Sequence, residues 1–162
     1  MAKQKPVDPR NRIGVYKRLA DVPDRYRLEN QAAEYEGRDV WSEFIEYERE
    51  TVGYDSDRYI QNSERCERYW KEHMEDRGRH HALATPTDVE TFISGLLDRM
   101  ESRTAYQPYW VRLESFYDHL QWRVDHPHRY HPVVMAATVP ESAARRVWEE
   151  KLDRYGSREI NE

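Results

Sequence analysis

Apolar residues along this chain recur at three- and four-residue intervals rather than in alternation, the spacing of helices that bury one stripe. Trp41, Phe44, Ile45 and Tyr47 set the pattern and Gly53 closes it, which predicts a helix over 38–51. Asp55, Ser56 or Asp57 is placed to cap the next helix. In that helix Tyr59, Ser63, Cys66, Trp70 and Met74 share a face, Arg58, Asn62, Arg65, Arg68 and Glu72 lie away from it, and Gly78 ends it. A third start falls in Thr85-Pro86-Thr87-Asp88-Val89-Glu90. Either Thr87 caps with Glu90 completing a capping box, or Thr85 caps with Pro86 at the first helical position. Val89, Phe92, Ile93, Leu96 and Leu97 form its stripe.

After a turn at 101–104, Tyr106, Tyr109, Trp110, Leu113, Phe116, Tyr117 and Leu120 predict a long fourth helix that ends near Asp125, before Pro127. A proline-containing stretch over 126–133 leads to a last helix over 141–155, with Ala144, Val147, Trp148 and Leu152 inward. Upstream, 24–37 permits a weakly amphipathic helix. Residues 3–23, with Pro6, Pro9, Gly14 and Pro23 among basic residues, read as an arm. Strand periodicity is absent, so the expected class is all-α, divided as an arm and short helix over 1–37, a helical domain over 38–133 and a C-terminal helix and tail over 134–162.

With 162 residues, one core is the expectation. Only 38% of residues are apolar and mean hydropathy is −1.12, but five Trp and twelve Tyr can fill a core with few aliphatics. The aromatic set Trp41, Phe44, Trp70, Phe92, Trp110, Phe116 and Tyr117 is assigned to that core rather than to a base-stacking platform. No run approaches the roughly 20 apolar residues of a membrane span, so a soluble, cytoplasmic protein is expected. The single Cys66 has no internal partner and reads as a buried thiol. The 26 basic residues are 21 Arg and 5 Lys against 31 acidic ones, the balance expected of a protein from a high-salt cytoplasm. At molar salt phosphate neutralisation contributes little, and recognition of DNA there leans on shape, hydrogen bonds and packing.

From Trp41 to Pro132 the order of these segments resembles the core-binding (SAM-like) domain of tyrosine recombinases and phage-type integrases. WSEFIEYERETVGYDSDRY resembles its first helix and turn, ERCERYWKEHMEDRG its second, and LATPTDVETFISGLL its short third helix. RTAYQPYWVRLESFYDHLQWRVDHPHRYHPV resembles the fourth, with Phe-Tyr-x-x-Leu followed by a loop to a polar residue, Pro and Val. The resemblance implies a four-helix unit whose second and fourth helices meet the DNA major groove. The family's cleaving half needs an arginine, a His-x-x-Arg pair and a tyrosine nucleophile in a second domain. About 30 residues follow Pro132 and hold no such pair. No strand cleavage, and no enzymatic activity, is therefore expected.

Candidate DNA contacts are Arg58, Asn62, Arg65 and Arg68 on the second helix and Arg103, Thr104, Gln107 and Arg112 at the start of the fourth. Arg, Asn and Gln are the side chains that read base edges or hold phosphates. Against the first set, Glu64, Glu67 and Glu72 lie near enough to pair with it and leave only a solvated face; Tyr106, beside the second set, reads as core. His126, His128 and His131 raise the question of zinc, which needs three or four converging ligands. A surface loop explains the spacing, so neither metal nor cofactor is expected, and His119 reads as a packing residue. The expectation is a stand-alone double-stranded-DNA-binding regulator or accessory factor of a mobile element or plasmid, beside a separately encoded recombinase. Homodimerisation through the C-terminal helix is a further expectation. The competing reading is a helical protein–protein interaction module; an enzyme built on the histidine loop has no paired signature behind it.

Overall fold

The computed structural model describes residue 9 and residues 16–160, of which 153–160 are described in backbone only. Most of the arm expected over 3–23 lies outside them. Among the described residues every regular element is helical: α1 (Ala32–Tyr35), α2 (Val40–Tyr47), α3 (Asp57–Asp76), α4 (Pro86–Leu97), α5 (Ser102–Thr104), α6 (Val111–Trp122), α7 (Pro132–Ala137) and α8 (Ala143–Ile160). The chain is all-α. No described helix is long and apolar enough to cross a membrane.

Local chemistry accounts for the ends of these elements. Asp39 caps α2 by accepting from Ser42 N at 3.1 Å, a π-helical turn (Glu48–Val52) extends it, and Gly53 stops it at φ 84°, where an L side chain is strained. Ser56 caps α3 through Tyr59 N at 3.2 Å. At α4 the cap is Thr85 with Pro86 first in the helix, and Asp88, not Glu90, closes the capping box. Glu90 reaches across instead, and its carboxylate accepts from Ala143 N at 2.7 Å and Ala144 N at 3.0 Å, capping α8.

Three expected elements differ. The long fourth helix is broken: Gln107 is extended (φ −123°, ψ 114°) within a π-helical stretch (Ala105–Trp110), so continuous helix starts at Val111 and stops at Trp122. The cause is Pro108, whose ring disfavours helical backbone in the residue before it. The helix expected over 24–37 is two 3-10 turns and the single-turn α1. Tertiary partners draw that backbone off a helical path. Arg27 donates to the carbonyls of Leu19 and Val22, both at 3.2 Å, and Leu28 N donates to the Tyr130 hydroxyl at 3.0 Å. The proline stretch, finally, contains α7, started by Pro132 and capped by His131, which accepts from Val134 N.

One core runs through all three expected segments, from Val22, Leu28 and Tyr35 to Ala144, Val147 and Trp148. α4, α7 and α8 pack on one another, α2 and α3 each pack on α6, and the Ala105–Trp110 stretch touches α3, α4, α6 and α8 from between them. Trp41, Trp70, Trp110 and Trp148 are fully buried, as is the Cys66 thiol, which burial pushes up in pKa. The C-terminal helix thus packs on its own bundle. Lys151 of α8 is 5% exposed and donates to both carboxylate oxygens of Glu114 on α6, at 3.1 and 3.0 Å.

The loop between α3 and α4 is the most deeply set non-helical segment, with residues 81–85 all buried. Its backbone groups must find partners inside the protein. His81 O accepts from Trp70 Nε1 at 2.8 Å and from the Tyr117 hydroxyl at 2.9 Å, and that hydroxyl accepts in turn from Ala84 N at 3.0 Å. His128 Nε2 donates to Ala82 O at 2.6 Å. The His81 ring accepts from Val40 N at 3.1 Å and Trp41 N at 3.3 Å, so it also caps α2.

Two predictions come from this core. Burial pulls both His81 and His128 down to about 3, below an unfolded value near 6.5, so the unfolded chain binds more protons in acid. The resulting stability is present above about pH 6.5 and lost as pH falls toward 3, at roughly 2 kcal/mol per ring between pH 7 and 5. Urea unfolding at pH 7 and pH 5 should show a matching fall in midpoint, reduced in His81→Asn and His128→Asn. Removing one partner of the Lys151–Glu114 pair leaves a buried charge, so Lys151→Ala should cost about 3 kcal/mol and Lys151→Met with Glu114→Leu together much less. The same urea titrations measure both.

Candidate nucleic-acid interface

The N-terminal half of α3 lies beside α5 and the extended Gln107, and the two meet in an open groove of about 640 Å³ lined by Ser56, Arg58, Tyr59, Asn62, Arg103, Thr104 and Gln107. Two clusters some 40 positions apart in sequence are thereby one surface. Helical spacing sets Arg58 and Asn62 one turn apart, while the Pro108 break turns Gln107 out of the helical path that would have aimed it elsewhere. Arg58, Arg103, Thr104 and Gln107 are exposed and Asn62 is half-buried.

The surface continues along α3. Arg65 and Arg68 are exposed, and the Arg68 guanidinium lies 5.3 Å from the centre of the Tyr69 ring. Arg99, from the turn after α4, covers the same ring at 5.4 Å, and Tyr69 stacks on Tyr109 at 5.6 Å. Arg99 was not among the candidates read from sequence. Nothing in its local pattern ties it to α3, and only the packing of α4 against α3 brings it there. Among the described residues, none of Arg58, Arg65, Arg68, Arg99 and Arg103 forms an ion pair. Two of the three glutamates that spacing alone would have paired with them are placed elsewhere: Glu67 holds Lys71 at 2.6 Å, and Glu64 lines a different groove.

Arg112 does not belong to this surface. Its side chain is 12% exposed, its Nη1 donates to the Tyr59 hydroxyl at 2.6 Å and lies 3.5 Å from Glu48 Oε2, and its guanidinium sits 4.6 Å over the Tyr59 ring. The Tyr59 hydroxyl donates to Glu48, and burial together with that carboxylate raises its pKa. Arg112 is thus a strut joining α6 to α3 and to the turn after α2. Loss of the helical path at Gln107 changes the register of the residues after it, and Arg112 faces inward.

The histidines are likewise internal partners. His126 shares a hydrogen bond with the Tyr35 hydroxyl at 2.6 Å, His128 is bonded to Ala82 O, and His131 Nε2 lies 2.9 Å from Asp118 Oδ1 and 3.1 Å from Glu114 O. His119 packs on Phe44 and Tyr47 and is pulled down to about 4, chiefly by burial. Among the described residues no three His, Cys, Asp or Glu side chains are placed to hold a metal ion.

Comparisons with protein-family models, with curated proteins and with solved structures find no match to this chain.

Substituting Arg112 tests its role as a strut. Arg112→Ala should cost about 3 kcal/mol by leaving Glu48 without its cation, and Tyr59→Phe about 1 kcal/mol. Arg103→Ala, at an exposed unpaired position, should stay within about 0.5 kcal/mol of wild type. Equal unfolding midpoints for Arg112→Ala and Arg103→Ala would sink this assignment.

Proposed function

We propose that this protein binds double-stranded DNA through the groove between α3 and the α5–Gln107 segment, without cleaving it. One observation carries the reading: five exposed arginines (Arg58, Arg65, Arg68, Arg99 and Arg103) gather on one face with Asn62, Thr104 and Gln107, and none is neutralised by a carboxylate among the described residues. Unpaired guanidiniums beside amide side chains are the equipment for holding phosphates and reading base edges together. The resemblance of the 41–132 segment to recombinase core-binding domains supports the same face, because it names the second and fourth helices as the DNA-contacting ones. On that reading the protein acts as a regulator or accessory factor of a mobile element or plasmid, alongside a recombinase encoded elsewhere.

Net charge is −5, so attraction to DNA is local to this face and not a property of the whole molecule. Steering by the overall field is weak, and direct hydrogen bonding carries more of the affinity, a division suited to high salt.

Fluorescence anisotropy with a random duplex pool, in low and in near-molar potassium chloride, tests the proposal. Arg58→Ala and Arg103→Ala should each weaken binding about tenfold. Where the lost contact is to phosphate, the slope of log K against log salt should also fall by about one. Failure of the wild-type protein to bind any duplex at either salt overturns the reading.

A further inference from the structure

Apolar surface that folding leaves outside is concentrated at one place. The large apolar side chains exposed among the described residues are Val52, Tyr54, Trp122, Val124 and Val139, and all but Val139 lie at or beside one groove between α2 and α6. Helical spacing turns Ser115, Asp118, His119 and Trp122 of α6 towards α2, and with Phe44, Tyr47, Val52 and Tyr54 they line a space of about 470 Å³. Trp122 is 86% exposed, and Val124, two residues on, is fully exposed. Scattered apolar side chains are ordinary on a surface, but four in one patch mark a place that another molecule covers.

Area, charge and shape select the occupant. The four side chains show on the order of 500 Å² of surface, roughly two thirds of the 800 Å² or so per partner in a standard interface, and homodimer interfaces are apolar in about that share. The charges at the patch are of both signs. Asp118 lies in the groove beside His131, and Arg123 stands at its end, 5.2 Å from the centre of the Tyr47 ring and 3.8 Å from Asp125; both Asp118 and Arg123 are half-exposed. His119 is pulled down to about 4, chiefly by burial, and adds no charge at neutral pH. A partner of one strong charge, nucleic acid included, would meet a like charge here. A patch with a hollow, a protruding side chain and one charge of each sign is instead complementary to itself, which is what contact about a two-fold axis requires. Set antiparallel about an axis level with Leu120 and Gln121, the ends of two α6 helices oppose Trp122 to His119 and Arg123 to Asp118. The apolar stripe of α8 does not compete for this role, because Ala144, Val147 and Trp148 are buried in the chain's own core.

We propose that the groove between α2 and α6 is the interface of a two-fold dimer, in which Trp122 of each copy enters the groove of the other and Arg123 pairs with Asp118 across the axis. The interface adjoins the candidate DNA surface, since the rings of Tyr54 and Tyr59 lie 5.2 Å apart, but it does not depend on DNA binding.

The test is sedimentation equilibrium of the full chain without DNA, from about 1 to about 100 μM. The expected result is a monomer–dimer equilibrium with a dissociation constant on the order of 10 μM and no growth past two copies, because a two-fold contact closes on itself. Trp122→Ala should raise that constant at least about tenfold while leaving the unfolding midpoint of the dilute protein unchanged, since the side chain is exposed. Val139→Ser removes an exposed apolar side chain away from the groove and should associate as wild type does. Arg123→Asp and Asp118→Arg should each be monomeric alone and should dimerise when mixed in equal amounts, a rescue that misfolded variants would not show. A monomer at every concentration, growth past a dimer, or equal losses in Trp122→Ala and Val139→Ser overturns the proposal, as does a mixture of the two charge variants that stays monomeric. Saturable binding of a labelled peptide of residues 1–18, lost in Trp122→Ala, would assign the groove to the chain's own N-terminal segment and overturn it too.

Discussion

The bundle depends on satisfying one buried loop. Residues 81–85 enter the core without helical hydrogen bonds, so every amide and carbonyl there needs a partner brought from elsewhere. Trp70 comes from α3, Tyr117 from α6 and His128 from the segment before α7, while the loop's own His81 reaches the amide ends of α2. Four parts of the chain are thereby fixed relative to one point. Leaving any of these groups unpaired in an apolar interior costs more than the bond itself contributes. The same requirement explains why His81 is neutral: its Nε2 must accept from two amides, which a protonated ring cannot do, and burial opposes the charge.

Around that point the protein separates its charges. Internal pairs such as Lys151–Glu114 and Arg77 and Arg79 with Asp88 hold elements together. Burial raises the Asp88 carboxyl, but the Thr85 amide and the two guanidiniums outweigh it and hold it below the ordinary range. The surface of α3 does the opposite, since its two faces carry unpaired groups of opposite sign. Between them stands the Glu48–Tyr59–Arg112 cluster, whose cation and carboxylate are both largely buried. That cluster ties α3 to α6 and to the turn after α2.

Which face of a helix is charged and which is apolar follows from residue spacing, and much was therefore legible in the sequence. The start of α4 is narrowed to Thr85 or Thr87, and the α-helical class, the bounds of α3, the Gly53 and Gly78 stops, and the assignment of Trp41, Trp70, Trp110 and Phe116 to the core all rest on local periodicity and capping chemistry. So does the choice of Arg58, Arg65 and Arg68 as exposed, with Asn62 half-buried beside them, because i, i+3 and i+4 positions share a face whatever lies beyond it.

What only the tertiary structure decided is which sets meet and which charges are already used. Arg112 and Arg103 are the same residue type at the edges of one sequence segment, yet one is a largely buried strut and the other an open cation, because Pro108 breaks the helix between them. Glu64 and Glu67 sit at pairing distance from arginines on a helical wheel, yet face another groove. The capping role of Glu90 needed α8 to arrive, and the place of Arg99 needed α4 to lie on α3. Spacing along a chain fixes direction around one helix axis. Pairing of charges depends on distances between axes, which are set by how side chains fill the space between helices and by where buried backbone groups find their partners.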